Sequence, residues 1–400
     1  MRIAAGSFVL FAAALSAQSP PDRTFVEEVD VAESSVVIEL PRLGRVSPEE
    51  FEPDDFVVEV NGKRRRVTGV SALDLKANPR PVLVYVDAVL SKPETVRLGA
   101  GALARQARSL TALGPVEIAV DDGAPDGVEL RLGASTKPRA VQAVLQEIAG
   151  AGLGRDAYFE SENRPAGLPT DVDVMLESVD RLLGEAVPRC GDPPCFLFWL
   201  SDGFLALDND GVRAADDLAV GLSGHGWIVV AMALHTPTPD PDFGEPRPVS
   251  FEQWKALMPG VKMAPSGGDP SRLQGLVANS FDFYVEPRYE PLRWTAVSSC
   301  GAALRVEHQL EAEFERLERR LLLRFASGED PVDEDPYGAF LPVEVRLAEV
   351  SRFADRRKFR RWLGLVPAEE RLRYGRWVKR LGAPAFRPAL GAMPRSGEPE

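Results

Sequence analysis

Hydrophobic positions along this chain follow two rhythms. From 24 to 75 apolar and polar residues take turns, as in Ser35-Val-Val-Ile-Glu-Leu40 and Phe56-Val-Val-Glu-Val60, and a period of two predicts strands with one buried face. Asn61-Gly62 separates the second of these runs from Lys63-Arg-Arg-Arg-Val67. Both central positions of a tight two-residue turn need positive φ, so the pair predicts a hairpin. A small β unit over 24–75 is therefore expected. Pro342-Val-Glu-Val-Arg-Leu347 alternates in the same way and is placed as its completion, within 338–350.

The second rhythm begins near residue 80. Apolar runs at 81–86, 115–120, 128–132, 196–200 and 227–234 read as strands, and amphipathic stretches at 95–113, 137–149, 171–186 and 212–223 read as helices. Near-continuous apolar strands alternating with helices predict an α/β fold: a doubly wound, mostly parallel, Rossmann-like sheet covered on both faces, over 80–325. Thr236-Pro-Thr-Pro-Asp-Pro241 and Pro265-Ser-Gly-Gly-Asp-Pro270 break the pattern. An irregular insertion over 236–292 is expected there, with a short helix at 251–257. Leu310, Phe314, Leu317 and Leu321 then recur at helical spacing, and the Arg-rich stretch 353–400 is read as a helical tail.

Composition narrows the function. A chain of 400 residues, 44% hydrophobic, is long enough for a sizeable core. Its formal net charge of -13 argues against nucleic acid as a partner, because phosphate neutralisation needs clustered Lys and Arg in excess. Met1-Arg2, an apolar stretch to Leu15 and the small residues Ser16-Ala17 read as a signal peptide over 1–17. The mature chain is then expected to be secreted or periplasmic, with no transmembrane segment. In that setting Cys190 and Cys195, which bracket Gly-Asp-Pro-Pro, suit a small-ring disulfide that leaves Cys300 over, or all three stay as thiols.

The candidate chemistry lies at strand ends. Asp87 and Ser91 follow the apolar run at 81–86, Ser201-Asp202-Gly203 follows the run at 196–200, and Thr170-Asp171 opens a helical stretch. An open α/β sheet binds its ligands at the carboxyl ends of its strands. The order of strand, Asp, Ser, helix, edge strand, Thr-led helix, strand, Ser-Asp-Gly and helix resembles the von Willebrand factor type A (VWA) fold, and the leading hairpin resembles the bacterial secreted VWFA-related subgroup, over roughly 25–350. The resemblance implies a metal-ion-dependent adhesion site. Its ligands would be Asp87, Ser91, Thr170 and Asp202, with Asp171, Ser201 and Gly203 on the same rim, and an acidic group of a protein partner would complete the shell of a Mg2+ ion. The family's first loop reads Asp, any, Ser, any, Ser, whereas this one reads Asp87-Ala88-Val89-Leu90-Ser91. Valine offers no oxygen to a hard cation, so the site is read as degenerate.

The resulting expectation is an exported, non-enzymatic, protein-binding module. A structural envelope component, binding through the β unit or the Arg-rich tail, is one alternative, and a hydrolase built on Ser223 and His225 is another. Gly221-Leu-Ser223-Gly-His225 lacks the final glycine of a nucleophile elbow. Gly99-Ala-Gly101-Ala-Leu-Ala104 begins too far beyond its strand for a dinucleotide loop. Asp208-Asn-Asp-Gly211 and the acidic stretch Asp330–Asp335 lack the ligand ladder of a Ca2+ loop. The basic run Lys63–Arg66 reads as the solvated face of an edge strand.

Overall fold

Six strands form the central sheet of the computed structural model, which describes residues 33–39, 50–124, 127–155, 171–191, 193–204, 209–234, 289–305, 307–317, 320–327, 340–348 and 373–379. The strands preceding this sheet are β1 (Glu33–Glu39), β2 (Phe56–Val60), β3 (Lys63–Arg65) and β4 (Val67–Ala72). The sheet itself contains β5 (Val82–Asp87), β6 (Val116–Asp121), β7 (Glu129–Ser135), β8 (Cys195–Leu200), β9 (Trp227–Met232) and β10 (Ala302–Leu304), in the order β10-β9-β8-β5-β6-β7. All neighbours are parallel except β6 and β7. The sheet grows from β5 toward β7 on one side and from β8 toward β10 on the other. The order therefore reverses between β5 and β8, and a crevice opens there above the carboxyl ends.

Helices cover both faces. One carries α1 (Pro93–Arg105), α2 (Ala107–Leu113), α3 (Pro138–Gly150) and α7 (His308–Leu317). The other carries α4 (Asp171–Arg189), α5 (Asn209–Gly224) and α6 (Tyr289–Ser298). β5, β8 and β9 are buried at every position, as strands sandwiched between two helical layers must be. The glycine at 99 has a packing role within α1: a Cβ there would press on the side chain of Leu200 in β8. Among the described residues no helix is long and apolar enough to cross a membrane.

The ends of the chain build a second core. Strands β11 (Leu321–Ala326), β12 (Phe340–Leu347), β13 (Arg373–Tyr374) and β14 (Trp377–Lys379) combine with the early strands into two four-stranded sheets, β13-β1-β11-β4 and β14-β12-β2-β3. Val36, Ile38, Leu321, Leu323 and Phe325 from the first sheet pack with Phe56, Val58, Val60, Val343 and Val345 from the second. The β2–β3 turn has φ of 50° at Asn61 and 70° at Gly62, the backbone that Asn-Gly favours. A cavity of about 30 Å³ separates Val36, Leu322 and Trp377 of this β unit from Pro194 and Trp227 at the amino ends of β8 and β9. The β unit thus sits at the pole opposite the crevice.

Three expectations are corrected. The helix containing Leu310, Phe314 and Leu317 ends at Leu317, and Leu321 opens β11. The spacing misleads because Leu321-Leu-Leu323 is a strand buried on both faces, with Leu322 turned to the α/β core and its neighbours to the core of the β unit. Within the stretch read as a helical tail, the described residues are the strands β13 and β14, which extend the open edges of β1 and β12. Tyr374 packs against the core of the β unit there. The stretch read as irregular to 292 becomes helical at Tyr289, where Leu292 and Ala296 dock on the second face. Residues 1–17, 235–288 and the proposed helix at 251–257 lie outside the described residues.

Gly301 tests the close packing of β10 on β9. A Cβ at this position would overlap the backbone carbonyl of Val229, and backbone cannot swing aside as a side chain can. Gly301→Ala is expected to lower unfolding free energy by about 2 kcal/mol or more, measured as a fall in the urea midpoint at unchanged m-value.

Candidate functional site

The loops after β5 and β8 are stitched together. Asp87 closes β5, and one of its carboxylate oxygens accepts the Leu90 N–H at 2.9 Å while the other accepts the Ser201 hydroxyl at 2.9 Å. Ser201 in turn accepts the N–H of Gly203 at 3.0 Å, and Gly203 needs its φ of 73° for that turn. From the opposite direction, the Asp202 N–H donates to the Ser91 hydroxyl at 3.2 Å. Four of the anticipated rim residues, Asp87, Ser91, Ser201 and Asp202, are thereby brought together from two strands.

The side chain of Asp202 caps α1. That helix begins after Lys92 with Pro93 and has no capping side chain of its own. Asp202 supplies the missing acceptor, taking the Lys92 N–H at 2.7 Å and the Thr95 hydroxyl at 2.6 Å. A carboxylate at this place satisfies an orphan donor and faces the positive end of the helix dipole.

Several contributors escaped the sequence reading. Arg155, just beyond α3, clamps the first loop by donating its N–H to the Ser91 carbonyl and its guanidinium to the Leu90 carbonyl at 2.9 Å. Asp121 closes β6 as Asp87 closes β5, and its carboxylate accepts from Tyr85 at 3.2 Å and Arg181 at 2.9 Å. The signal for Asp121 was present, since Ile118-Ala-Val120 is a short apolar run followed by Asp. Arg155 carried none, because its role depends on where α3 ends in space.

Burial governs the electrostatics. Asp87 is 1% exposed, and desolvation first, then the Asp121 charge, push its pKa from an ordinary 3.8 up to about 7, against the pull of Leu90, Ser201 and Arg181. Burial, followed by the charges of Asp121 and Asp87, also holds the Tyr85 phenol well above its usual range. Ser91 and Ser201 are fully buried and Asp202 is 8% exposed. An acidic visitor does not reach these atoms directly in this conformation.

The described residues do not complete the oxygen shell of a divalent ion. Val89 is 1% exposed and packs in the core on the α4 side, so position 89 contributes no ligand. Both oxygens of Asp87, both of Asp202 and the hydroxyl of Ser91 already accept hydrogen bonds. Thr170 lies outside the described residues, and Asp171 begins α4.

Two further features bear on the alternatives. The Ser223 hydroxyl donates to the Ser298 carbonyl at 2.8 Å, and His225 Nδ1 lies 2.7 Å from the Gly221 carbonyl. The geometry of a nucleophile and its base is therefore not assembled between them. Cys190 and Cys195 form a disulfide joining the end of α4 to the start of β8, and Cys300 is a buried thiol. No protein-family model matches the chain, and no curated protein matches it.

The raised pKa of Asp87 gives stability a pH dependence. The folded protein holds this proton more tightly than the unfolded chain, so the associated stability is full below about pH 4 and is lost as pH climbs to 7. Asp87→Asn removes the titrating group while keeping its shape. The variant is expected to be more stable than wild type at pH 8, by an amount on the order of a few kcal/mol, and the difference is expected to shrink as pH falls and to vanish only below about pH 4, in parallel urea titrations.

Proposed function

We propose that this chain is an exported, non-enzymatic, protein-binding module of VWA type, which docks its partner through the loops fixed at the carboxyl-end rim. The observation that carries this reading is the convergence of Asp87, Ser91, Ser201 and Asp202 across the point where the sheet order reverses. The resemblance in order of elements and the six-stranded, mostly parallel sheet support it. The Cys190–Cys195 disulfide supports export, since such bonds persist in oxidising compartments.

In this reading the polar network presents the loops and no resident ion takes part. The buried carboxylates and hydroxyls hold the backbone after β5 and β8 in one arrangement, and that arrangement is the recognition surface. Substituting Val89 for a hydroxyl-bearing residue replaces a ligand with an apolar anchor. The loop is held by burial of that side chain in the core where an adhesion site would use a metal.

The reading is tested by crosslinking the purified protein to exported proteins of its source, with EDTA and with millimolar Mg2+. Asp202→Ala, which uncaps α1 and releases the Lys92 and Thr95 bonds, is compared with the exposed control Arg139→Ala at a temperature where both are folded. Capture that survives EDTA and Arg139→Ala but falls at least about tenfold in Asp202→Ala is expected. Equal capture by Asp202→Ala and wild type would overturn the rim as the docking site. A rise in the wild-type melting temperature with Mg2+ would overturn its independence of metal.

A further inference from the structure

We propose that the chain self-associates through strand β7, two copies pairing edge to edge about a two-fold axis at Leu130 to make one continuous sheet. β7 is the last strand of the central sheet, paired with β6 on one side only. Its burial is unlike that of the other strands of that sheet: five of its seven residues are exposed, and Leu130 is 48% exposed. An edge strand offers a row of unpaired N–H and C=O groups, and proteins ordinarily blunt such an edge with like charges such as Lys, with Pro, with a bulge or with a covering element. β7 has no Lys or Pro, its two charges, Glu129 and Arg131, are of opposite sign, and its exposure shows no covering element among the described residues.

The occupant follows from the sequence of the edge. Gly127-Val-Glu-Leu-Arg-Leu-Gly133 is nearly palindromic about Leu130. In an antiparallel pair related by a two-fold axis, Leu130 stands opposite Leu130 of the second copy, Glu129 opposite its Arg131, Val128 opposite its Leu132, and Gly127 opposite its Gly133. Leucine meets leucine at the axis, and acid meets base at the two pairs that flank it. A closed, isologous contact of this kind needs only one self-complementary patch.

The faces agree near the axis. β6 pairs Val120 with Glu129, Ala119 with Leu130 and Ile118 with Leu132, so Arg131 is an extra residue in a bulge. Arg131 lies on the same face as Glu129, where the two are 2.8 Å apart, with Glu147 of α3 at 3.9 Å, and the bulge turns Leu132 to that face as well. Two copies therefore place four charges in a chequerboard on the α3 face, each beside an opposite charge along its own strand and across the axis. Leu130 projects to the other face with Ala119. The same bulge bends the strand beyond Leu130 and keeps the pairing short. The association is accordingly reversible and concentration-dependent, without the extent of an obligate interface.

Charge reversal distinguishes this arrangement from any other contact. Sedimentation velocity across a concentration series is expected to show a monomer–dimer equilibrium for wild type. Glu129→Arg alone and Arg131→Glu alone each set four like charges together and should weaken dimerisation by about tenfold or more. The double reversal restores the chequerboard and should return the dimerisation constant to the wild-type value. Leu130→Lys should also weaken it, and melting curves on all variants verify that each is folded. A wild-type protein that stays monomeric up to millimolar concentration, single reversals that leave the dimer unchanged, or a double reversal that fails to restore it would each overturn the proposal.

Discussion

The structure turns on a pair of crossed hydrogen bonds between the ends of two parallel strands. β5 and β8 are neighbours, yet the chain leaves them in opposite directions, so each loop continues its ladder only toward its outer neighbour, Ala88 to Asp121 and Ser201 to Met232, and no ladder joins the two loops. Ser201 to Asp87 and Asp202 to Ser91 replace the ladder there. Unmet donors and acceptors this deeply buried would cost about 1–3 kcal/mol each, which makes the identity of these four side chains a condition of the fold as well as of any site on it.

Two aspartates of the same loop pair are put to opposite electrostatic use. Asp202 faces the amino end of α1 and neutralises donors that the helix leaves unmet. Asp87 looks toward a second carboxylate, Asp121, whose charge is shared out to Arg181 and Tyr85. One carboxylate is thus fixed by a positive end, and the other is pushed toward its neutral form by burial first and by a negative neighbour second. Local sequence is no guide to this difference, because Asp121 and the start of α1 reach the crevice only through the order of strands.

What could be read from the sequence follows the same division. The buried strands were legible because Val82–Val86, Phe196–Leu200 and Trp227–Met232 have no polar interruption, and the hairpin because Asn61-Gly62 meets a backbone requirement. Asp87 and Asp202 were legible as strand-end residues. Their hydrogen bonds were not, since each partner depends on a register or a helix start elsewhere in the chain. The β unit shows the limit most clearly. Leu321 continued a helical period by coincidence, and Tyr374 and Trp377 were read with a helical tail although their strands complete sheets begun more than 300 residues earlier. Local periodicity carries no information about which edge a distant strand will find.

The direction of the strands joins the two proposed surfaces. β6 and β7 are antiparallel, and an antiparallel β7 pair reverses direction once more, so the parallel strands of a second copy run opposite to those of the first. Their carboxyl-end rims then face opposite ways, with each β unit at the pole away from its own rim. Neither rim is blocked by the pairing, because β7 lies two strands from β5 and three from β8. A reversible dimer of this form has two outward rims in place of one, and its avidity for a partner carrying paired docking sites would follow the spacing set by one rigid, continuous sheet.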